Sequence, residues 1–326
     1  NECRSGIPPK TDQQYFENRT SGSTGVPLKY RFSKFDRLLG GCLVYRGWSI
    51  AGYELGDKMV FMAGIALGLN YKNKLIKLFH ETTRNIKKLS SYAMDEKSLT
   101  KYWKIINKIK PKFIRGLPTS IYLFTQWLEE RNLAIHSPNA VFTTAEKLFP
   151  HQRQKIEEIF NCQVYDGYGL NDGGVSAFEL LDHLGMRIDT ERAVMEIVDE
   201  DGKQLTNGTG RIIATSLFNK AFPFIRYDTG DIGTLKIKPD GTHTLTELIG
   251  RQDQMLHTPE GKFIHGTFFD ILMRDLDNIK QFQVIQTDLK NLIIKIVPEG
   301  NFDKSQLSMV TDMIRDYSEE WQAHYE

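Results

Sequence analysis

The sequence predicts an α/β protein in three parts: a large domain built on a mostly parallel sheet, a β-rich subdomain attached to it, and a small α+β module at the C-terminus. Three observations carry this reading. Between residues 58 and 165 short apolar runs alternate with stretches of helical periodicity, as strands joined by crossover helices do. From Val194 onward the runs become short and alternating, separated by Asp201-Gly202, Asn207-Gly208 and Asp240-Gly241, which are hairpin signals. Beyond Gly250-Arg251 come one helical stretch, two strand-like runs and a closing helical stretch.

In order along the chain, Phe35 to Tyr53 has apolar residues at helical spacing, and Lys58 to Ala63 reads as a buried strand running into the Gly-rich turn Gly64 to Gly68. Leu99 to Ile109 is an amphipathic helix stopped by Pro111, since proline cannot continue the hydrogen-bond ladder. The strand Lys112 to Arg115, the helix Ser120 to Arg131, the strand Ala140 to Thr144, the helix Pro150 to Phe160 and the strand Cys162 to Tyr165 complete the alternating series. Proline at the start of the last of those helices suits its first turn. Val194 to Val198, Gly210 to Ala214 and Gly233 to Ile237 are the hairpin strands. The final module reads as a helix from Thr267 to Asp277, strands Gln281 to Gln286 and Leu292 to Val297, and a helix from Lys304 to Trp321, on which the chain ends.

Composition narrows the function. The 326 residues carry 42 basic against 41 acidic side chains, a net charge of +1, so no global field favours nucleic acid or an anionic membrane. No apolar run approaches the roughly 18 residues a membrane span needs, and Asn1 opens no signal-peptide pattern, which together predict a cytoplasmic protein. Cys3, Cys42 and Cys162 are odd in number and widely spaced, which argues against a disulfide framework and a Cys-rich zinc site. Cys162, in an apolar run, reads as a small core residue.

The densest chemical signal is Arg19-Thr-Ser-Gly-Ser-Thr-Gly-Val-Pro-Leu28. Gly22 and Gly25 permit positive φ, which turns successive N–H groups toward one point, and Thr20, Ser21, Ser23 and Thr24 add short hydroxyl donors. That composition suits a phosphate. It is neither a Walker A loop, which needs Lys-Ser/Thr after the last glycine, nor a dinucleotide fingerprint. Three further segments follow in order: Tyr168-Gly-Leu-Asn-Asp172, Arg226-Tyr-Asp-Thr-Gly-Asp231 and Gly250-Arg-Gln-Asp253.

In this order and at these separations the four segments resemble the signature motifs of the adenylate-forming, or acyl-CoA synthetase, superfamily, and specifically its phenylacetate-CoA ligase and CapK-type branch. The resemblance covers nearly the whole chain. It implies an AMP-binding adenylation domain over residues 1–250 and a mobile C-terminal lid over 251–326, with a segment missing before the first and the second truncated. It implies activation of an aryl or acyl carboxylic acid by ATP to an acyl-adenylate, with later transfer to coenzyme A. The alternatives are transfer to an amine or sugar in polysaccharide biosynthesis, or a nucleotide-binding module without turnover. Thr24 and Asp172 would be catalytic. Ser21, Gly22, Ser23, Thr24 and Gly25 would hold the triphosphate, Ala145, Glu146, Asp166 and Gly167 would wall the adenine, and Tyr168 would stack on it beside Asn171. Asp231 would hold the ribose hydroxyls, and Arg251 would reach the nucleotide. Arg226 and Asp228 would support the Asp231 loop, and Phe61 to Leu69 with Phe142 would line an apolar acyl pocket.

Two departures from the family pattern matter. The usual Ser/Thr-Glu after Tyr-Gly-Leu is Asn171-Asp172 here; Asp172 keeps the hard oxygen that Mg²⁺ prefers, at shorter reach. Where relatives hold zinc with cysteine and histidine, this chain has Phe178 to His183 without a cysteine, so His183 is expected at the surface and no zinc is expected. Family members also carry a lid lysine near the C-terminus, and no residue here takes that role; Lys262 reads as a hairpin lysine. Nothing in the sequence fixes the oligomeric state or the identity of the acid.

Overall fold

The computed structural model describes residues 14–19, 28–63, 79, 81–91, 94–238, 240–251, 255–259, 263–265, 269, 272–273, 276, 278–298 and 300–326. The chain forms two compact units, Asn1–Leu248 and Ile249–Glu326.

The first unit opens with a hairpin the sequence did not announce, β1 (Tyr15–Arg19) and β2 (Lys29–Ser33), paired antiparallel from Tyr15↔Ser33 to Arg19↔Lys29. The residues between Arg19 and Lys29 are those expected to bind phosphate. Helix α1 (Lys34–Ser49) follows at once, capped by the Ser33 hydroxyl, which accepts the Asp36 N–H. Next come β3 (Met59–Ala63), β4 (Ile86–Ser90), α2 (Glu96–Ile109), β5 (Phe113–Gly116), α3 (Pro118–Glu130), β6 (Ala140–Thr144), α4 (Pro150–Phe160) and β7 (Gln163–Gly169). Asp95 caps α2, while α3 and α4 both begin with proline, whose missing N–H costs nothing in a first turn.

β8 (Ser176–Glu179), β9 (Met186–Ile188), β10 (Ala193–Val198), β11 (Gln204–Leu205), β12 (Gly208–Ser216), β13 (Tyr227–Ile237) and β14 (His243–Arg251) complete a twelve-stranded sheet. Its order is β11-β10-β12-β13-β14-β9-β8-β7-β6-β5-β3-β4. β4, β3, β5, β6 and β7 run parallel, while β8 pairs antiparallel with both β7 and β9. Both faces of the parallel part are covered by apolar side chains. Val60, Ile114, Val141 and Val164 pack with α2, α3 and α4, and Met59, Phe61, Phe113, Phe142 and Tyr165 pack with Trp48 and Tyr53 on the other side. The observed architecture is thus a mixed α/β sheet: the predicted parallel part spans five strands, and the β-rich part continues the same sheet as antiparallel strands.

In the second unit β15 (Met255–His257) pairs with β16 (Phe263–His265), and β17 (Ile279–Gln286) pairs antiparallel with β18 (Asn291–Pro298). Helix α5 (Leu307–Tyr317) buries Val310 and Ile314 against Leu292, Ile294, Phe269 and Trp321. The sequence reading placed the end of the chain on a helix through Trp321. Instead α5 stops at Tyr317, and β19 (Gln322–Tyr325) pairs parallel with β18. Trp321 is buried because it closes this small core, and its indole N–H donates to the Leu289 carbonyl; an apolar residue at helical spacing was in fact a turn anchor. Most of the helix expected from Thr267 to Asp277, along with Lys262 and the Gly64 to Gly68 turn, lies outside the described residues.

Candidate active site

The site is built where the parallel sheet gives way to the antiparallel one, at the carboxyl ends of β6 and β7, where open α/β sheets bind ligands. Strand register aligns Gly116, Thr143 and Asp166 across β5, β6 and β7. Thr143 and Asp166 are both buried, and the Thr143 hydroxyl donates to Asp166 Oδ1 at 2.6 Å, while the Asp166 N–H donates to Glu179 Oε2 at 2.9 Å. Burial pushes the Asp166 carboxyl up to about 6, against the pull of the Thr143 bond. Just beyond β6, Ala145 adopts φ 70°, a left-handed conformation uncommon for alanine and characteristic of functional turns. Glu146, next to it, is exposed and accepts the Thr119 N–H in the first turn of α3.

Tyr168 lies beyond the strand predicted to end at Tyr165, yet it is within β7, which continues four residues further to Gly169 because Asp166 and Gly167 pair with β6 and Gly167, Tyr168 and Gly169 pair with Phe178, Ala177 and Ser176 of β8. Tyr168 is buried, and its hydroxyl donates to Asp231 Oδ2 at 2.8 Å. Burial, reinforced by the Asp231 charge, holds its phenol well above the usual value. Two residues 63 positions apart, singled out for adenine and ribose, are thereby one hydrogen-bonded pair.

Asp231 is delivered by a β-bulge. Arg211 faces Ile232 and Ile213 faces Asp228, so three residues of β13 stand opposite Ile212 alone. Thr229 Oγ1 donates to the Ile212 carbonyl and accepts the Asp231 N–H, and Gly230 takes φ 76°, which a side chain would resist. The Gly230 N–H donates to Asp228, which is also paired with Arg211. Asp228 supports the loop as the sequence suggested. Arg226 pairs outward with Glu196.

Asp172 follows β7, half-buried, and accepts the Tyr227 hydroxyl at 2.9 Å. Gly173 and Gly174 take φ 85° and 75°; a Cβ on Gly173 would stand 2.6 Å from the Cβ of Ala214, so the loop is threaded too tightly for any other residue. Beneath it Asp36 and Arg192 form a buried bidentate ion pair. From Tyr227 a chain of rings leads through Phe224, at 4.9 Å, to Tyr30 of β2, 5.6 Å from Phe224. Ser33 and Arg31 are bonded to Asn219. The base of the β1–β2 hairpin is thereby fixed to the strand element that holds Asp172.

The structure thus brings together Asp166, Gly167, Tyr168, Asp172 and Asp231, with Ala145, Glu146 and the exposed Asn171 at the adjoining strand ends. Ser21, Gly22, Ser23, Thr24 and Gly25 lie outside the described residues, as does the side chain of Arg251, whose backbone closes β14. His183, expected at the surface, is half-buried: its ring packs 4.9 Å from Tyr165 and its Nδ1 lies 3.3 Å from Glu179, which also binds Arg153. Cys162 is half-buried against the helical core, and burial pushes its thiol up to about 12, far from reactivity. Among the described residues no group of three or more His, Cys, Asp or Glu side chains is placed to hold a metal. Sequence reasoning missed Tyr227, Thr143, Arg192 and Arg115. The last carried a signal, a cation inside the otherwise buried run Phe113-Ile-Arg-Gly116.

Comparison with known proteins agrees with this fold. The CapK C-terminal domain family matches residues 256–326. Protein CapK of Staphylococcus aureus is 24% identical over 88% of this chain and 64% of its own length. Indoleacetate–lysine synthetase of Pseudomonas savastanoi is 25% identical over 66% of this chain and 53% of its own length, and phenylacetate-coenzyme A ligase of Thermus thermophilus is 23% identical over 89% and 64%. The chain therefore spans a little over half to just under two thirds of these relatives. The fold of 2-hydroxyisobutyryl-CoA ligase, solved in its postadenylation state with an acyl-AMP, matches all of this chain and 73% of that one at a TM-score of 0.69 and 17% identity. These likenesses place the chain in the adenylate-forming superfamily.

Proposed function

We propose that the chain binds ATP and a carboxylic acid and joins them as an acyl-adenylate with release of pyrophosphate, the acyl group then passing to coenzyme A. The observation that carries this is the Tyr168–Asp231 hydrogen bond at the carboxyl edge of the sheet, in a fold shared with a ligase solved with an acyl-AMP. In this reading residues 1–250 are the adenylation domain and 251–326 the lid. Tyr168 offers its ring to adenine between the Ala145-Glu146 and Asp166-Gly167 walls and Asn171. Asp231 accepts from the ribose hydroxyls, Arg251 contributes from the lid boundary, and Ser21, Gly22, Ser23, Thr24 and Gly25 hold the phosphates, with Thr24 donating to the reacting phosphate. Preorganised donors of this kind stabilise charge developing in the transition state.

Asp172 fits a magnesium ion. One carboxylate oxygen is held by Tyr227, the other is free of protein partners among the described residues, and Mg²⁺ usually takes one or two carboxylates with substrate phosphates. When bound, the ion would supply charge neutralisation at the phosphates. No zinc is expected. A second acceptor class, an amine, is favoured by the likeness to indoleacetate–lysine synthetase, and the CapK likeness keeps a sugar acceptor in view. Among the described residues no helix is long and apolar enough to cross a membrane, and a reaction that consumes ATP suits the cytoplasm.

Pyrophosphate exchange into ATP across a panel of acids tests the reaction, because a binding module without turnover gives none. Asp231→Ala should weaken AMP binding by about 1.5–3 kcal/mol, the range for hydrogen bonds to a charged group. Equal AMP affinity of the two proteins by calorimetry would remove Asp231 from the ribose.

A further inference from the structure

The apolar pocket predicted for the acyl group contains a guanidinium that the sequence reading did not place there. Strand register aligns Phe61, Arg115, Phe142 and Tyr165 in one row across β3, β5, β6 and β7, immediately before the row that ends in Thr143 and Asp166. Three of the four are aromatic. Arg115 stands in that wall, its guanidinium 4.8 Å from the Trp48 ring centre and 5.1 Å from that of Phe61. Gly47 and Trp48 of α1 close the pocket from one side and Phe178 of β8 from another, and Thr143, Asp166 and Gly167 connect it to the nucleotide site.

Charge accounting sets Arg115 apart. Elsewhere in this unit Arg46 pairs with Asp189 and Glu191, Arg153 with Glu179, Arg192 with Asp36 and Arg211 with Asp228. Arg115 makes no ion pair and no hydrogen bond among the described residues. The two nearest pocket acids are engaged by others, Asp166 by the Thr143 hydroxyl and Glu179 by Arg153. A cation withdrawn from water without a counter-ion is costly to the fold, and one that faces a pocket beside a nucleotide site is a binding group awaiting an anion. Burial draws Arg115 down only to about 10, so it remains charged at neutral pH.

We propose that Arg115 selects the acid: the substrate carries, besides the carboxylate that is activated, a second anionic group, which ends on the Arg115 guanidinium at the edge of the Trp48–Phe142 stack. This rests on the adenylation reading above and deepens it. Arginine suits the task because its planar fork meets a carboxylate in two hydrogen bonds while its face stacks on an aromatic ring. The pocket is narrow. A Cβ on Gly47 would stand 2.3 Å from the Phe178 ring, so α1 and β8 are in close contact there and leave no space for a branched acid.

The test uses matched acids, phenylacetate against 4-carboxyphenylacetate and hexanoate against adipate, in pyrophosphate exchange and in calorimetric titration. The wild-type protein should use each diacid with at least tenfold higher kcat/KM than its monoacid partner. Arg115→Met, which keeps the stack on Trp48 but removes the charge, should abolish that preference while leaving AMP affinity unchanged, and Arg115→Lys should retain part of it. A wild-type preference for the monoacids, or an unchanged ratio in an Arg115→Met protein with normal AMP affinity, overturns the proposal. Should Arg115→Met not fold, the wild-type ratio and the Arg115→Lys protein decide: a lysine that leaves diacid KM unaltered argues against recognition by the fork. Absence of exchange with every acid would count against adenylation alone, because calorimetry still reports whether diacids bind the wild-type protein and are lost from Arg115→Met; diacids that fail to bind the wild type overturn the role of Arg115.

Discussion

The two halves of the large sheet handle charge in opposite ways. In the parallel half, the interiors of β3, β5, β6 and β7 are apolar on both faces, and polar side chains gather at the carboxyl ends, as Thr143 and Asp166 do; Arg115 departs from this pattern, and only the edge strand β4 carries lysines in its interior. In the antiparallel half, acids lie within or beside the strands and are neutralised by arginines from distant elements: Asp189 by Arg46 of α1, Glu179 by Arg153 of α4, and Asp36 of α1 by Arg192. The contrast follows from coverage. A parallel sheet wrapped in helices leaves no water for a charge except at its edges, whereas the antiparallel half buries several acids together with their counter-ions. The candidate active site lies on the seam between the two regimes, with access to both strand-end polar groups and firmly anchored carboxylates.

Breaking a counter-ion should therefore produce the largest effect. Asp36 is fully buried and Arg192 is 5% exposed, and they meet through two hydrogen bonds. Asp36→Ala leaves the guanidinium buried without a partner, which typically costs about 3–5 kcal/mol. Urea denaturation should show a loss of that size, and Asp36→Leu combined with Arg192→Met should recover most of it, because a well-packed apolar pair avoids the desolvation that the ion pair merely offsets. A single-variant loss below about 1 kcal/mol, the level of a solvent-exposed pair, would mean that the antiparallel half does not depend on pairing.

Asp166 probes the other regime, in which an acid is buried at a strand end with a hydroxyl as its close partner. Its carboxyl is raised from 3.8 to about 6, so the folded protein holds the proton more tightly than the unfolded chain does. The stabilisation is thus complete below about pH 4 and is lost as pH rises through 6. Two units correspond to about 3 kcal/mol at 1.36 kcal/mol per unit. Asp166→Asn, which can still accept from Thr143, should flatten the fall in stability between pH 4 and 6 relative to wild type. Parallel pH profiles for the two proteins would show that Asp166 does not titrate in that window.

Much of this architecture was legible in advance because the parallel half obeys local rules. Pro111, Pro118 and Pro150 punctuate its helices, and its strands are unbroken apolar runs, so Ala140–Thr144 and Pro150–Phe160 were read to the residue. The Tyr168, Asp172 and Asp231 segments were legible because Gly-containing turns flank their acids. What the sequence concealed was long-range. β1 and β2 pair across the Ser/Thr/Gly-rich segment that separates them, β7 is extended past Tyr165 by pairing with β6 and β8, and β19 pairs with the edge that β18 offers. Tyr227 and Arg192 act across 55 and 156 residues, a distance no local pattern encodes.

The smallest predicted effect separates two pairs of the same chemistry across the seam. Tyr168–Asp231 is buried on both sides, whereas Tyr227–Asp172 is half-buried, so solvent competes with the second bond and its net worth should fall below the range for buried charged partners, to about 1 kcal/mol. Tyr227→Phe removes the hydroxyl and keeps the ring against Phe224. Its consequence should fall on the metal rather than on the nucleotide: Asp172 loses the bond that orients it, and the Mg²⁺ concentration needed for half-maximal ATP binding should rise by roughly three- to sixfold, the equivalent of that energy. AMP binding without magnesium should stay at the wild-type level, and Asp172→Ala should raise the Mg²⁺ requirement further. A Tyr227→Phe protein that loses AMP affinity while its magnesium dependence is unchanged would reassign Tyr227 to packing alone, and would leave Asp172 without an orienting role for its hydroxyl partner.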